Sequence, residues 1–173
     1  MSAPATFDAC LALVWQFDGL RDDAAEGEQF ATSYGVTEMT WAEAERQGIV
    51  DHSIDTATKQ DCANILKVMY YNACGCSSMN PGVNLMVFND AMVTGVGHSV
   101  RLLQRVCGVP DDGVVGSQTL HAANSRSPLD LILDLKDADE EYYASLAKAP
   151  LFLKGWTRRE EFMANQARLM VGK

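Results

Sequence analysis

The chain has 173 residues, of which 47% are hydrophobic, and carries a net charge of −9. This length and composition suffice for one compact domain, or for two small units packed together, without disulfide staples. Residues 1–61 hold twelve acidic and three basic side chains, so they account for the whole net charge. Phosphate binding needs a concentrated basic face, and the charge therefore argues against nucleic acid as a partner.

Cysteine usage and the first residues bear on where the protein is made. Five cysteines are an odd number in a chain of ordinary composition, which favours synthesis in a reducing cytoplasm over a disulfide framework. Asp8 and Asp18 interrupt the first apolar run, and no basic segment precedes it, so neither a signal peptide nor a membrane span is expected. Cysteine and histidine spacings do not match a zinc site, and no metal or other cofactor is expected.

The first third of the chain predicts two helices joined by a small hairpin. Apolar residues recur at helical spacing over residues 6–18. Glycine and aromatic residues punctuate residues 20–36, where a small β-hairpin is expected. Thr40 and Glu43 form a capping-box pattern, which predicts a short helix from Thr40 to about Gly48.

The middle of the chain is expected to be helical throughout. The strongest amphipathic pattern runs from Thr56 through Tyr70. The Asn80–Pro81 pair is expected to open the next helix, because proline is tolerated in a first turn. A glycine break at residues 95–97 separates that helix from another apolar face.

The last third repeats this pattern. Residues 102–120 combine the end of an apolar helix, a glycine stop, an Asp-Gly turn and a new helix opened by the Gly116–Ser117 pair. The Ser127–Pro128 pair is a cap followed by proline at the first helical position, and it predicts a long helix. Thr157 and Glu160 form a second capping-box pattern, which predicts the start of the last helix. The expected fold is all-α apart from the hairpin.

Several motifs occur in a shared order along the chain. They are Asp18-Gly19, Thr32 to Thr37, Met69-Tyr70-Tyr71, Pro81-Gly82-Val83, Phe88 to Ala91, Gly95, the block from Leu102 to Leu120, and the tail from Phe152 to Arg159. This order resembles glycoside hydrolase family 108, the lysozyme-like N-acetylmuramidases of phages and bacteria. The resemblance implies a lysozyme-like helical domain over residues 1–95 and a helical peptidoglycan-binding region over residues 96–173.

The resemblance also implies a function and a catalytic position. It implies an endolysin-like peptidoglycan hydrolase that cleaves the β-1,4 bond between N-acetylmuramic acid and N-acetylglucosamine and acts on the cell wall after release. Family members carry a Glu-Gly-Gly-Tyr motif at the close of the first helix, and the family spacing places Asp18 at the glutamate. The family's Asp-Pro-Gly-Gly loop reads Glu26 to Gln29 here, and its late Tyr-Trp pair reads Gly75-Cys76.

Glycosidic cleavage defines the roles that these residues would fill. A carboxylic acid must protonate the leaving oxygen, and a second group must stabilise the cation or activate water. Asp18 is the candidate acid, with a reach about 1.5 Å shorter than that of glutamate. Glu28, or alternatively Glu26, is the candidate second carboxylate, and Thr32 is the candidate hydroxyl that holds the attacking water.

Tyr34, Asn89 and Asp90 are the candidate substrate-binding residues, by hydrogen bonding and stacking. Each candidate has a structural alternative, since such side chains also pack or cap helix ends and loop glutamates are also solvated charges. A competing hypothesis is a peptidoglycan-binding or phage structural protein that kept the fold and lost the acid. Contact with the acidic wall polymer is expected from the basic tail, which comprises Lys148, Lys154, Arg158, Arg159, Arg168 and Lys173.

Overall fold

The computed structural model describes residues 6–18, 21–22 and 32–172, and these form eight α-helices and one small sheet. The helices are α1 (Phe7–Asp18), α2 (Glu38–Arg46), α3 (Lys59–Leu66), α4 (Val83–Thr94), α5 (Val96–Val106), α6 (Ser117–Ser125), α7 (Pro128–Ser145) and α8 (Ala149–Met170). The strands are β1 (Arg21–Asp22), β2 (Thr32–Ser33) and β3 (Val36–Thr37). Short 3-10 segments lie at Ile54–Thr56 and Cys76–Ser78, and a π-helical segment lies at Lys67–Asn72. The prediction of an all-α fold with a small hairpin is confirmed.

The sheet extends the predicted hairpin by one strand. Its order is β1-β2-β3, with both pairs antiparallel. The turn between β2 and β3 consists of Tyr34 and Gly35, which have φ angles of +50° and +82°. Positive φ at both central residues gives a turn whose twist matches that of the flanking strands.

Two helix starts that were predicted from capping-box patterns are wrong, because both threonines lie inside a helix that begins earlier. Helix α2 begins one turn before Thr40, where the side chain of Thr37 accepts a hydrogen bond from the Thr40 backbone N–H at 3.2 Å. Helix α8 begins at Ala149, so Thr157 is already inside the helix. A capping residue must have an extended backbone, which a residue inside a helix cannot adopt.

Other helix boundaries follow their local signals. Ser127 caps α7 by accepting from the Asp130 backbone N–H, with proline at the first helical position as predicted. Helix α6 begins at Ser117, directly after Gly116, also as predicted. Helix α3 begins behind Thr58 instead of at Thr56, because Thr58 and the N3 aspartate form a capping box.

Helix α4 lies at the centre of the molecule. Every residue from Val83 to Ala91 is buried, as expected for a helix that other elements cover on all sides. Helices α1, α5, α7 and α8 all contact it. Phe88 packs edge-on against Phe7 of α1 and Tyr71, with ring centroids 5.8 and 5.6 Å away. The two halves of the chain therefore share one hydrophobic core.

All five cysteines are free, and four of them are buried within this core. Burial raises the pKa of the Cys10 thiol to about 12, so that side chain packs as a small apolar group. Among the described helices, none combines the length and the hydropathy needed to cross a membrane.

Gly82 fixes the approach of α8 and α7 to the start of α4. Its φ is +84°, and a Cβ atom there would lie 2.4 Å from the carbonyl oxygen of Ala167 and 2.9 Å from Cδ1 of Ile132. A side chain at this position would meet both backbone strain and a backbone clash. Gly155, inside α8, has no atom within 4 Å of the corresponding position.

We expect Gly82→Ala to lower the free energy of unfolding by at least about 2 kcal/mol, because strain and clash add. Gly155→Ala is the matched control and is expected to leave stability unchanged or to raise it by about 0.5 to 1 kcal/mol, since alanine favours a helix interior. Urea unfolding followed by circular dichroism measures both. A Gly82→Ala protein as stable as the wild type would contradict the assigned packing.

Candidate functional site

The last turn of α1 is joined to the turn of the sheet. The indole Nε1 of Trp15 donates a hydrogen bond to the backbone carbonyl of Tyr34 at 3.0 Å. The two rings also pack together, with centroids 5.8 Å apart. Because Trp15 precedes the end of α1 by one turn, this contact fixes the sheet against the helix end.

The candidate catalytic positions fall at this junction. Asp18 is the last residue of α1, and Thr32 is the first residue of β2, where it pairs with Asp22 on one side and Thr37 on the other. Thr32 lies two positions before Tyr34, so the backbones at positions 18 and 32 lie at the same end of α1. Glu26 and Glu28 lie outside the described residues, as do the side chains of Asp18 and Thr32.

Tyr34 is half-buried beside the last turn of α1. Its φ of +50° lies in the left-handed region, which is sparsely populated for residues other than glycine and carries a cost of about 1 to 3 kcal/mol. The hydrogen bond from Trp15 to its carbonyl helps to hold that conformation. Its contact with substrate stays a prediction.

Asn89 and Asp90 lie elsewhere, in the middle of α4. Their side chains are 0% and 2% exposed, so neither lines an open cleft. The expectation that they touch sugar does not fit this burial. Both point instead into contacts between α4 and the helices of the second half.

Asn89 bridges two charged residues of α8. Its Nδ2 donates to Oε1 of Glu160 at 2.7 Å, and Nε of Arg159 donates to its Oδ1, also at 2.7 Å. The hydroxyl of Tyr143 in α7 donates to the same Glu160 oxygen at 3.3 Å. We call this set the buried joint; its members are Asn89, Asp90, Asp139, Tyr143, Arg159 and Glu160.

Asp90 and Asp139 form a buried carboxyl pair within the joint. They are 2% and 1% exposed, and each carboxyl group lies close enough to the other to shift its pKa. Burial raises the pKa of both groups, and for Asp139 the charge of Asp90 adds to the rise. Two like charges so close in an apolar setting cannot both ionise, so the pair holds a proton at neutral pH. Within the described ranges, no cluster of histidine, cysteine or acidic residues is arranged to hold a metal ion.

Glu160 is the third acid of the joint and is fully buried. Burial and the charge of Asp90 raise its pKa to about 7, while the guanidinium of Arg159 acts in the opposite direction. The guanidinium carbon of Arg159 lies 5.7 Å from the ring centroid of Phe17. Phe17 in turn packs on Phe162 of α8, with the ring centroids 5.6 Å apart. The joint therefore reaches the residue that precedes Asp18.

The sequence patterns predicted Glu160 at a helix cap and Arg159 in the basic tail, in addition to placing Asn89 and Asp90 at the sugar. They gave no polar role to the other two members of the joint, Asp139 and Tyr143. The sequence could have revealed Asp139 as a buried residue. It lies four residues from both Leu135 and Tyr143, and thus on the buried stripe of α7. An acid on an apolar stripe indicates a buried, hydrogen-bonded group.

Comparisons with known proteins divide the chain in two. Residues 18–95 match the family model described as Glycosyl hydrolase 108, and residues 98–161 match the one described as Predicted Peptidoglycan domain. The first match begins at Asp18, and the buried joint connects α4 of the first match to α7 and α8 of the second. No curated protein matches the chain.

A solved structure described as "Structure of Brucella abortus SagA" is similar over nearly the whole length. The match covers 99% of this chain and 98% of that chain, with 27% sequence identity and a TM-score of 0.89. The similarity therefore extends over both of the matched regions of this chain.

The raised pKa of Glu160 makes stability depend on pH. An unfolded glutamate, with a pKa near 4.5, loses its proton before the folded one, whose pKa is about 7. The folded state binds the extra proton between these values, so the free energy of unfolding falls as the pH rises from about 4.5 to about 7. The expected loss is on the order of 3 kcal/mol, and the raised pKa of Asp139 extends the decline to higher pH.

Glu160→Gln should flatten this decline, because it removes the titrating group while keeping its size. Glu161→Gln is the control, since Glu161 is the exposed neighbour on the same helix. Urea unfolding at half-unit intervals from pH 4.5 to 8 gives both slopes. Equal slopes for the two variants would contradict the titration assigned to Glu160.

Proposed function

Because residues 18–95 match the glycosyl hydrolase 108 family model and a solved structure is similar over nearly the whole chain, we propose that this protein is an N-acetylmuramidase that cleaves the β-1,4 bond between N-acetylmuramic acid and N-acetylglucosamine in bacterial peptidoglycan. One observation carries the proposal. The residue that closes α1 bears a carboxyl group, begins the family match, and lies one turn beyond the contact that binds α1 to the sheet.

The proposed chemistry assigns one role to each residue. Asp18 gives its proton to the leaving glycosidic oxygen as the bond from that oxygen to the anomeric carbon breaks. Glu28, or alternatively Glu26, stabilises the positive charge on the sugar or takes a proton from the water that attacks the same carbon. The hydroxyl of Thr32 holds that water, and Tyr34 contacts the sugar ring.

The rest of the fold supports the acid by fixing α1. A general acid must sit close to its reacting geometry, and an error of about 1 Å can lower the rate about 100-fold. Trp15 ties one side of the last turn of α1 to the sheet, and Phe17 packs against α8 on another. In this proposal Asn89 and Asp90 are positioning residues, which hold α8 against α4 and α1.

We propose that the second matched region, with peptidoglycan as its partner, holds the wall polymer while the first region cleaves it. The protein would be made in the bacterial cytoplasm and would act on the wall after release, as an endolysin does. Four members of the basic tail are exposed and available for this contact: Lys148, Lys154, Arg158 and Arg168. Arg159 is not among them because it belongs to the buried joint, and Lys173 lies outside the described residues.

A second candidate function is binding without cleavage. The observation that favours it is the replacement of the family glutamate by Asp18, which shortens the reach of the acid by about 1.5 Å. Purified sacculi separate the two candidates. An enzyme releases reducing sugars from them, whereas a binder is retained on them and releases none.

We expect Asp18→Asn to lower the rate of reducing-sugar release about 100-fold or more, because an amide cannot donate the required proton. Asp18→Glu is expected to retain or raise the rate, since it restores the longer reach. Asp51→Asn, a matched change at an exposed position, should leave the rate unchanged. Sugar release at the wild-type rate by Asp18→Asn would refute the role of Asp18, and wild-type retention without release would favour the binder.

A further inference from the structure

A surface groove of about 730 Å³ runs between α1 and α3, beside the junction described above. We call it the α1–α3 groove. Ala12 of α1 and Ala63 of α3 line it, and their small side chains leave the space open. This volume is within the range of roughly 300 to 1,000 Å³ that is typical of ligand sites.

Two lysines mark the two ends of the groove. Nζ of Lys59 lies 4.7 Å from the ring centroid of Trp15, and Nζ of Lys67 lies 5.6 Å from that of Phe7. The two helices therefore run in opposite directions. The two lysines are eight positions apart, and the rise of a helix separates their backbones by about 12 Å.

These lysines give the groove a charge that its surroundings lack. Residues 1–95 contain only four lysines and arginines, and the groove holds two of them. Both lysines are exposed, and no described carboxylate lies within ion-pair distance of either. Asp8 also lines the groove, at the end where Phe7 lies. A groove that holds two lysines within an otherwise acidic part of the protein is suited to an anionic ligand.

The groove also leads toward the proposed acid. Leu11 and Trp15 line it, and so does Gln16, which lies two residues before the end of α1. Trp15 offers an apolar ring, and Gln60 and Asn64 offer amide groups at the opposite wall. An aromatic face beside amides is suited to a sugar ring that carries hydroxyl and acetamido groups.

We propose that the α1–α3 groove binds the muramyl peptide unit of the wall glycan. The ring of Trp15 packs on a sugar, and Lys59 and Lys67 pair with carboxylates of the peptide stem that the muramyl residue carries. The assignment rests on the proposed function and narrows its substrate. Neutral N-acetylglucosamine polymers lack the carboxylates, so the groove selects peptide-bearing glycan over them.

The test compares two soluble probes on the full-length chain. One is a disaccharide tetrapeptide released from peptidoglycan, and the other is the neutral tetramer of N-acetylglucosamine. Lys59→Gln with Lys67→Gln is expected to weaken binding of the disaccharide tetrapeptide at least tenfold, as measured by titration calorimetry, and to leave binding of the neutral tetramer unchanged. Arg46→Gln removes a charge from exposed α2 and is the control, with binding as in the wild type.

A second variant tests the groove without changing charge. Ala12→Phe fills the groove from its exposed side, where added volume does not disturb the core, and should weaken binding of both probes. The proposal would be overturned if the double lysine variant bound the disaccharide tetrapeptide as tightly as the Arg46→Gln variant does. Unchanged binding by Ala12→Phe would overturn it as well.

The binding measurements test the groove, and the sugar-release assay tests catalysis, so one proposal can be refuted without the other. Binding is measured on Asp18→Asn, which the proposed function expects to be slow but able to bind. Lysine-dependent binding, together with a wild-type protein that releases no sugar, would support the groove and refute the muramidase. Sugar release that is unaffected by loss of both lysines, with unchanged binding, would refute the groove alone.

Discussion

The bridge that Asn89 makes between Arg159 and Glu160 is the constraint on which the arrangement of the two halves depends. Charged groups buried this deeply are costly unless they are paired and hydrogen-bonded, so these contacts favour the observed register of α8 on α4. Arg159 also lies over the ring of Phe17, which places the last turn of α1 within the same set of contacts. The hydrolase family region is thereby held to the peptidoglycan domain by polar contacts inside a shared core.

Helix α1 carries or contacts three of the features to which we assign a function. Its last residue is the proposed acid, its Trp15 holds the turn of the sheet, and one of its faces lines the α1–α3 groove. Apolar residues on its remaining faces pack against α4 and α8. A rigid helix that is fixed at several points is a suitable support for a group that must be placed within about 1 Å.

Sequence patterns predicted helix starts correctly where the start depends only on neighbouring residues. They failed where two different structures share the same residue spacing. Ser127 and its following proline predicted the start of α7 because a cap and a fixed φ need only neighbouring residues. Thr157 and Glu160 have the spacing of a capping box, yet they lie inside α8, and Glu160 is buried against Asn89. A threonine and a glutamate three residues apart also share one face of a continuous helix, and only the helix upstream decides between the two arrangements.

The linear order of residues was enough to predict the helical class, the small hairpin, the resemblance to glycosyl hydrolase family 108, and the carboxyl-bearing residue at the end of α1. These rest on periodicity, on turn chemistry and on the order of motifs, all of which are properties of the linear chain. The burial of Asn89 and Asp90 became visible with the packing of the helices, as did the groove between α1 and α3 with a lysine at each end. Helical spacing shows which residues share a face, but the burial of that face depends on which other helix packs against it.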